Sequence, residues 1–344
     1  MRKTALIFGV TGQDGSYLSK FLLKKGYIVH GVKRRTSLIN TQRIDDVFQE
    51  KFSIRKKLYL HYGDITDSFS VHNIIKKVNP DEIYNLAAQS HVAVSFKIPV
   101  HTSDVTALGT LRILEAIVQI NKKIKFYQAG SSEMFGKSNK NFQNEKTPFY
   151  PRSPYAVSKM FSHWITINYR ESFNLFACNG ILFNHESPYR GETFVTLKIV
   201  RALCRIKHNK QKKLYLGNIY SRRDWGHAED YVQAMWKILN HRRPDDFVIS
   251  TGKQYSVKQF VDLVAKKLKI KITWKGKGIK EKAYLDKNTC IIECKKEYFR
   301  LAEVDNLRGN YSKAKKLLNW KPERDINYLI NDMIASELKK INKY

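Results

Sequence analysis

The sequence predicts an α/β fold, in which a Rossmann-type doubly wound parallel sheet carries a smaller C-terminal α/β substrate-binding cap. Three observations predict it: short apolar runs alternate with longer segments of helical period, a glycine-rich turn follows the first run, and the alternation loosens after about residue 184. Strands that alternate with helices pair in parallel, because each crossover helix returns the chain to the same end of the sheet. We therefore expect residues 1–184 to form mainly the Rossmann domain and residues 185–344 mainly the cap, interleaved with the last sheet strands.

The first half contains six apolar runs of strand type. Each run is short, as buried parallel strands are, and longer segments of helical period lie between them. The expected strands are Leu6–Phe8, Ile28–Val32, Leu58–His61, Glu82–Leu86, Lys125–Ala129 and Ala177–Leu182, and the expected helices are Tyr17–Lys25, Ser70–Val78, Thr110–Ile120 and Tyr155–Ser172.

The second half alternates less regularly. Its pattern predicts a basic helix from Thr196, a short strand at Leu214–Leu216 and helices near Asp230–Asn240 and Ser256–Leu268. No internal repeat or low-complexity linker separates the halves, so we expect them to share one cleft.

Composition indicates a folded protein of a reducing compartment. Hydrophobic residues make up 42% of the chain, and its apolar runs are too short to cross a bilayer. The run that begins at Ala5 is also too short for a secretory signal, which favours a cytoplasmic protein without a membrane partner. Four scattered cysteines do not form a disulfide framework. Cys290 and Cys294 lack a second pair at ligand spacing, so we expect them on a short strand and expect no metal site.

The net charge of +31 is unusually high. Such a charge attracts polyanions, including nucleic acids, acidic surfaces and anionic cofactors or substrates, without distinguishing among them. Much of it lies in lysine-rich tracts at 207–213 and 266–282, which contain few aromatic residues to stack on bases. We interpret these tracts as solvated surface and expect no specific nucleic-acid partner.

A Gly-x-x-Gly-x-x-Gly turn near the N-terminus indicates a dinucleotide site. It stands where the first strand ends and the first helix begins, the context that makes this spacing specific. The first glycine permits the turn, the second lets the backbone approach a pyrophosphate, and the third lets the helix pack on the strand. The unpaired N–H groups of the helix then favour the phosphates. Candidates for this site are Gly9, Thr11, Gly12, Gln13, Asp14 and Gly15.

The residues after the second strand indicate which dinucleotide binds. An acidic residue there would bond the ribose hydroxyls of NAD, but this chain has Arg34 and Arg35. Guanidinium groups match a phosphate bidentately, so the sequence favours NADP, with an ordinary basic loop as the open alternative. Further cofactor candidates, beside the adenine and the middle of the cofactor, are Asp64, Ile65, Leu86, Ala87, Ala88 and Ser90.

Tyr155 and Lys159 predict redox chemistry on an alcohol. They stand four residues apart at the start of a helix, so both project from one face. An ammonium group and an oxidised nicotinamide beside a phenol lower its pKa toward that of a usable general base. The alternative is that Tyr155 and Lys159 are merely neighbours on the surface, and it is less favoured because a dinucleotide-binding unit precedes these residues.

Ser131 and Glu133 follow the fifth strand, at the carboxyl edge where ligands of such sheets bind. Oxidation of an alcohol needs a hydroxyl group here but no carboxylate. Glu133 therefore points to a further step, either removal of a carbon-bound proton next to a ketone or proton delivery to a leaving hydroxyl. A helix-capping or salt-bridged acid is the open alternative.

Six longer segments carry a resemblance to a known family. They are Gly9–Leu18, His91–Phe96, Pro148–Ala156, Asn179–Pro188, Arg190–Thr196 and Arg223–His227. Together they resemble the GDP-mannose 4,6-dehydratase family of the extended short-chain dehydrogenase/reductase group, over almost the whole chain. Motifs of this length are far more specific than the glycine spacing.

The resemblance implies a lyase that converts GDP-D-mannose to GDP-4-keto-6-deoxy-D-mannose through an internal redox cycle with NADP. Tyr155, helped by Lys159 and Ser131, would take the O4 proton as hydride leaves C4. Glu133 would then remove the acidified C5 proton as the C6 hydroxyl leaves as water. The same hydride would return to C6.

The resemblance also implies binding residues and a homo-tetramer or dimer, in which the loop with Arg34 and Arg35 reaches the neighbouring cofactor. Guanidinium groups suit phosphates, and a carboxylate suits the N–H groups of guanine. His185 and Arg190 belong to the cofactor site, Ser90, Asn184, Glu186, Lys198 and Arg223 line the sugar-diphosphate channel, and Arg300 and Glu303 lie near the base.

Three positions depart from the family pattern. Ser131 replaces a threonine and keeps its hydroxyl, His101 replaces a tyrosine, and Leu301 replaces a proline. These changes leave open the same dehydration of another GDP-sugar, such as a GDP-manno-heptose, or an epimerase or reductase. A polyanion-binding protein on a Rossmann scaffold is the alternative of another class, and the complete set of predicted catalytic groups argues against it.

Overall fold

The computed structural model of the chain describes residues 2–37, 39–48 and 57–342. The strands are β1 Thr4–Phe8, β2 Ile28–Lys33, β3 Leu58–Tyr62, β4 Glu82–Asn85, β5 Lys125–Ala129, β6 Ala177–Leu182, β7 Asn184–Glu186, β8 Leu214–Leu216, β9 Arg222–Arg223, β10 Trp225–His227, β11 Asp246–Ile249, β12 Tyr255–Ser256, β13 Thr273–Lys275, β14 Lys282–Tyr284 and β15 Cys290–Cys294. The helices are α1 Gln13–Lys24, α2 Asp45–Phe48, α3 Ser68–Val78, α4 Val92–Ser95, α5 Pro99–Ser103, α6 Gly109–Ile120, α7 Pro154–Phe173, α8 Val195–Lys207, α9 Ala228–Leu239, α10 Val257–Lys267, α11 Ser312–Leu318 and α12 Ile326–Ile341.

The central sheet has seven parallel strands in the order β11-β6-β5-β4-β1-β2-β3. This confirms the predicted doubly wound fold, and all six expected strands of the first half are present. The direction of winding reverses between β1 and β4, so the crevice in which such sheets bind ligands opens there. The seventh strand, β11, comes from the second half of the chain and pairs with β6.

Helices cover both faces of the central sheet, which explains why its strands are almost continuously apolar. On one face Ile7 and Tyr127 are buried in the same cluster as Leu18 of α1 and Met235 of α9. On the other face Phe8 and Phe126 share a cluster with side chains of α3 and α6. Packing on both sides fixes the position of each strand along its own direction in the sheet. It therefore also fixes the position of the residues that follow the carboxyl end of the strand.

The start of α7 is set by local sequence. The Ser153 hydroxyl accepts a hydrogen bond from the backbone N–H of Ala156 at 3.1 Å, and Pro154 occupies the first helical position. Serine is a favoured helix N-cap, and proline at the first turn removes no helical hydrogen bond. Tyr155 is thereby placed in the first turn of α7, beside the end of β5.

The cap contains a four-stranded sheet in the order β13-β14-β15-β8, and α8, α10 and α12 share a core with it. Cys290 and Cys294 lie on β15, as expected. Two short strand pairs, β7 with β10 and β9 with β12, lie between the cap and the central sheet. They hold Asn184 opposite Trp225 and Arg223 opposite Tyr255.

The described residues contain neither a metal-binding cluster nor a membrane-spanning helix. No three of their His, Cys, Asp and Glu side chains are grouped so that they could hold a metal ion. None of the helices within residues 2–37, 39–48 and 57–342 has the length and apolar character that crossing a membrane requires.

Candidate active site

One cleft of about 980 Å³ runs along the carboxyl edge of the central sheet, from Arg34 after β2 to Arg300 of the cap. Its volume is at the upper end of the range for ligand pockets, as an elongated cofactor and a second ligand would require. All the predicted catalytic residues and most of the predicted binding residues line it. These are Gly9, Thr11, Gly12, Gln13, Asp14, Gly15, Arg34, Asp64, Ile65, Leu86, Ala87, Ala88, Ser90, Ser131, Glu133, Tyr155, Lys159, Asn184, His185, Glu186, Arg190, Lys198, Arg223 and Arg300.

Arg35 and Glu303 are the two predicted site residues outside the lining of this cleft. Arg35 is exposed on the surface. The Glu303 carboxylate accepts a hydrogen bond from the backbone N–H of Arg300 at 2.9 Å and another from the Ser221 hydroxyl at 3.4 Å. In this form of the chain, Glu303 fixes the turn that carries Arg300.

The glycine turn forms a cradle that side chains would fill. Gly9 has a φ of +84°, and a Cβ there would lie 2.9 Å from the backbone nitrogen of Ala87. A Cβ on Gly15 would lie 2.3 Å from the carbonyl oxygen of Gly9, so the close approach of α1 to β1 excludes a side chain. No side chain caps α1 at Gly12, which leaves its first N–H groups open toward the cleft. This geometry fits a pyrophosphate at the helix N-terminus.

Asp14 stands in the first turn of α1, where an uncompensated carboxylate would repel phosphate. Its Oδ2 lies 2.7 Å from Nε2 of His185, and its Oδ1 accepts a hydrogen bond from Gln13. Burial opposes both charges, but their mutual attraction outweighs it, lowering the pKa of Asp14 and raising that of His185. The positive charge of His185 compensates the negative charge of the Asp14 carboxylate, and the ion pair joins β7 to α1.

Arg43 also lines the cleft and was not among the predicted site residues. Its Nε donates to the carbonyl oxygen of Tyr189 at 2.9 Å, and its Nη1 donates to that of Thr11 at 3.2 Å. Arg43 therefore joins the glycine turn to the segment after β7. In a chain with 62 lysines and arginines, nothing in the local sequence distinguished it.

Tyr155, Ser131 and Lys159 meet where β5 ends and α7 begins. The Tyr155 side chain is hydrogen-bonded to Ser131, and Lys159 Nζ donates to the carbonyl oxygen of Ala129 at 2.7 Å. Burial raises the pKa of Tyr155 to about 12, with Ser131 opposing it, and lowers the pKa of Lys159 to about 8. Lys159 Nζ lies 6.0 Å from the centre of the Tyr155 ring. That Lys159 and an oxidised nicotinamide together lower the pKa of the phenol stays a prediction.

Glu133 is buried in the same cleft, on the short 3₁₀ turn Ser132–Met134. Arg300 Nη1 lies 3.1 and 3.2 Å from its two carboxylate oxygens, and Arg223 Nε lies 4.0 Å from the nearer one. Burial opposes ionisation, but the two guanidinium groups outweigh it and hold the pKa of Glu133 below its usual range. Glu133 is thus both salt-bridged and positioned next to Tyr155, with which it interacts electrostatically.

The cap side of the cleft carries further polar groups. Glu186 accepts a hydrogen bond from Thr196 at 2.6 Å and pairs with Arg190 Nε at 3.0 Å. Lys198 Nζ lies 3.8 Å from the centre of the Tyr298 ring, and burial lowers its pKa. Among the described residues, the buried side-chain oxygen of Asn184 has no hydrogen-bond partner. Buried polar atoms are normally paired, so this oxygen is available to a ligand hydroxyl.

Comparison with known proteins gives a match along nearly the whole chain. Residues 6–333 match the family model described as GDP-mannose 4,6 dehydratase. A GDP-mannose 4,6-dehydratase of Vibrio cholerae serotype O1 is 52% identical over 356 residues, which cover 100% of this chain and 95% of that protein.

Two solved structures share the fold. A dTDP-glucose 4,6-dehydratase of Bacillus anthracis, in complex with NAD, has a TM-score of 0.80 at 20% identity and covers 99% of this chain and 98% of its own. The protein named RMD of Pseudomonas aeruginosa, complexed with NADPH, has a TM-score of 0.76 at 19% identity, with coverage of 98% and 99%.

Proposed function

Because this chain belongs to the GDP-mannose 4,6-dehydratase family, we propose that it converts GDP-D-mannose to GDP-4-keto-6-deoxy-D-mannose and water. One observation carries the proposal: Glu133 lies in the same cleft as Ser131, Tyr155 and Lys159. With a nicotinamide dinucleotide as hydride acceptor, the serine, tyrosine and lysine suffice for oxidation of an alcohol, whereas a buried carboxylate beside them provides a second base for elimination. The overall reaction is that of a hydro-lyase, with no net oxidation.

The first step uses Tyr155 as the base. When bound, a nicotinamide dinucleotide supplies the two-electron oxidation at C4 and the matching reduction at C6. Tyr155 acts as the phenolate, which the positive charges of the Lys159 ammonium and of a bound oxidised nicotinamide would favour, and accepts the O4 proton. The Ser131 hydroxyl orients O4 and the phenol through hydrogen bonds. Lys159, anchored on the carbonyl oxygen of Ala129, contributes a positive charge at pH values below about 8.

The second step uses Glu133. A ketone at C4 makes the C5–H bond acidic, and the carboxylate of Glu133 accepts that proton. Glu133 then delivers it to the C6 hydroxyl, which leaves as water, so the carboxylate returns to its starting state. Return of the hydride to C6 is accompanied by addition of one proton at C5, which balances the proton that Tyr155 took from O4. A base already ionised in the free chain suits this role, since no proton must leave before the reaction begins.

Incubation of the protein with a panel of GDP-, UDP- and dTDP-sugars tests the proposal directly. We expect GDP-mannose alone or most rapidly to lose one water, measured as a product mass, with no net consumption of NADP⁺. A faster loss of water from GDP-manno-heptose would reassign the substrate and keep the reaction. Unchanged masses for every GDP-sugar would rule out the dehydratase.

We propose NADP as the cofactor, supported by Arg34, which lines the cleft just after β2. Replacing Arg34 by alanine removes a charge-assisted contact to the 2′-phosphate. We expect Kd for NADP⁺ to rise about 10- to 100-fold, while Kd for NAD⁺ changes little. Fluorescence titration measures both constants, and the exposed Lys24→Ala of α1 is the control. An equal weakening for both dinucleotides would contradict the NADP assignment.

We also propose a homo-dimer or tetramer, supported by an apolar stripe on α7. Val157, Phe161 and Trp164 lie on one helix face, all three are exposed, and Trp164 is 57% exposed. Exposed Val100 extends this surface on α5, which packs against α7. A contiguous apolar patch of this kind is typical of a subunit interface. Arg35 is exposed and lies outside the cleft of its own chain, so it stays a candidate contact to the cofactor of a neighbouring subunit. A cytoplasmic location also stays part of the proposal.

Charge on this stripe is expected to break the oligomer. The substitution Trp164→Glu places a carboxylate where an apolar contact would form, and sedimentation velocity should show a shift to monomers. Glu171→Gln, an exposed change farther along α7, serves as the control. An unchanged sedimentation coefficient for Trp164→Glu would place the interface elsewhere.

A further inference from the structure

We propose that Arg300 is a positioning residue that pairs with Glu133, and that the diphosphate of an arriving GDP-sugar draws Arg300 away. This inference rests on the proposed function, because it needs a substrate that carries a diphosphate. It adds a role for Arg300 before chemistry begins, distinct from binding substrate.

The two arginines beside Glu133 differ in how firmly they are held. Arg223 Nη1 donates to the carbonyl oxygens of Val304 and Arg222 at 2.7 and 2.9 Å, and its side chain is only 7% exposed. Within the described residues, the side chain of Arg300 donates hydrogen bonds only to Glu133. This side chain is 30% exposed. Arg300 is therefore the guanidinium group that can leave.

The backbone that carries Arg300 is fixed, so only its side chain has to move. The Glu303 carboxylate holds the backbone N–H of Arg300. A few residues later, Val304 and Leu307 are buried in the same cluster as Met134 and Phe135, which follow Glu133 directly. The distance between the two backbone segments is thus set by packing, and a swing of the Arg300 side chain toward the open cleft breaks the ion pair without moving either segment.

A diphosphate competes well for this guanidinium group. It carries more negative charge than one carboxylate and can accept two parallel N–H bonds, the geometry that arginine recognises best. Both Arg300 and Lys198 line the cap side of the cleft, so an anion bound there meets Arg300 on its exposed side. The exchange replaces one charge-assisted contact by another and leaves no buried guanidinium unpaired.

Removal of Arg300 changes the basicity of Glu133. The groups that face this carboxylate are Arg300 and Arg223 from the cap and Tyr155 from α7. The Ser131 hydroxyl accepts a hydrogen bond from the backbone N–H of Glu133 instead. Burial raises the pKa of the carboxyl, and Arg300 is the larger of the two opposing charges. Without Arg300, burial is opposed mainly by Arg223 at 4.0 Å, so the pKa of Glu133 rises. The base becomes stronger only when substrate is in place.

Proton uptake on binding GDP tests this exchange without turnover. Isothermal titration calorimetry in buffers of different ionisation enthalpy gives the number of protons taken up per GDP bound. At about pH 5 to 6, above the usual carboxyl range, we expect the wild-type protein to take up more protons than Glu133→Gln, by a fraction of about one proton per site. Because both proteins bind the same GDP, protons lost by its own phosphate cancel in the difference.

The variants Arg300→Met and Arg300→Lys complete the test. Without a cation at this position, Glu133 has a raised pKa before GDP arrives, so Arg300→Met should lose most of the extra uptake, while Arg300→Lys retains part of it. A purely structural role would weaken GDP binding in Arg300→Met and leave the uptake that depends on Glu133 intact, which would overturn the inference.

Two results separate this inference from the proposed function. GDP that binds with equal proton uptake in the wild-type protein and in Glu133→Gln would overturn the exchange of Arg300 and leave the dehydratase standing. A protein that fails to bind GDP would overturn both.

Discussion

Replacement of Glu133 by glutamine is expected to slow water loss from GDP-mannose by about 100- to 10,000-fold. Glutamine keeps the size and the hydrogen-bonding shape of the side chain but cannot accept the C5 proton. The measurement is the rate of product formation, followed by mass spectrometry as loss of water. Thermal unfolding of the variant should stay close to that of the wild-type protein, because Arg223 keeps its two carbonyl partners and Arg300 can turn toward solvent.

The matched control for Glu133→Gln is Glu171→Gln. Glu171 is exposed at the end of α7, outside the cleft, so its change should leave the rate unaltered. Full dehydration activity in Glu133→Gln would remove this carboxylate from the elimination step and favour its interpretation as a structural acid.

Replacement of Tyr155 by phenylalanine is expected to lower dehydration by a similar factor, about 100- to 10,000-fold. The ring still fills its buried site, so the fold is retained, but no group remains to accept the O4 proton. Tyr150→Phe is the control, since Tyr150 is exposed and lies outside the cleft lining. Unimpaired dehydration in Tyr155→Phe would assign the oxidation step to another base.

A proton-exchange experiment distinguishes the two variants. The 4-keto product has an acidic C5–H bond, and in D₂O the wild-type protein should exchange that hydrogen for deuterium without any redox step. Tyr155→Phe should retain much of this exchange, because Glu133 is intact, whereas Glu133→Gln should lose it. The reverse pattern would interchange the two roles.

The sequence was sufficient to predict the strands and helices from their periodicity. It also predicted which residues follow the carboxyl ends of the strands, where ligands of parallel sheets bind. Gly9, Ser131 and Arg34 all lie in the cleft because each follows a buried strand of one parallel sheet. Once the strands were identified, the fold required these residues to meet. The same reasoning placed Tyr155, since its helix begins at a recognisable Ser153-Pro154 cap.

Contacts between distant segments were beyond this reasoning. Arg300 pairs with Glu133 across 167 residues, and no periodicity or motif links the two. Arg43 was not recognised among the many basic residues of the chain. The contact of Glu303 with guanine stays a prediction, and its hydrogen bond to the backbone N–H of Arg300 could not be inferred from the sequence. The burial that raises the pKa of Tyr155 was beyond this reasoning too, because its extent depends on the packing of the whole domain.

The pairing of β11 with β6 has a consequence for how this protein is made. Until Asp246–Ile249 leaves the ribosome, the nascent chain presents β6 as an unpaired edge, and all six residues of β6 are buried in the finished fold. An apolar edge strand is a template for pairing with other chains. The first half therefore cannot complete its sheet until β11 has emerged, and a product truncated before β11 would aggregate or be degraded.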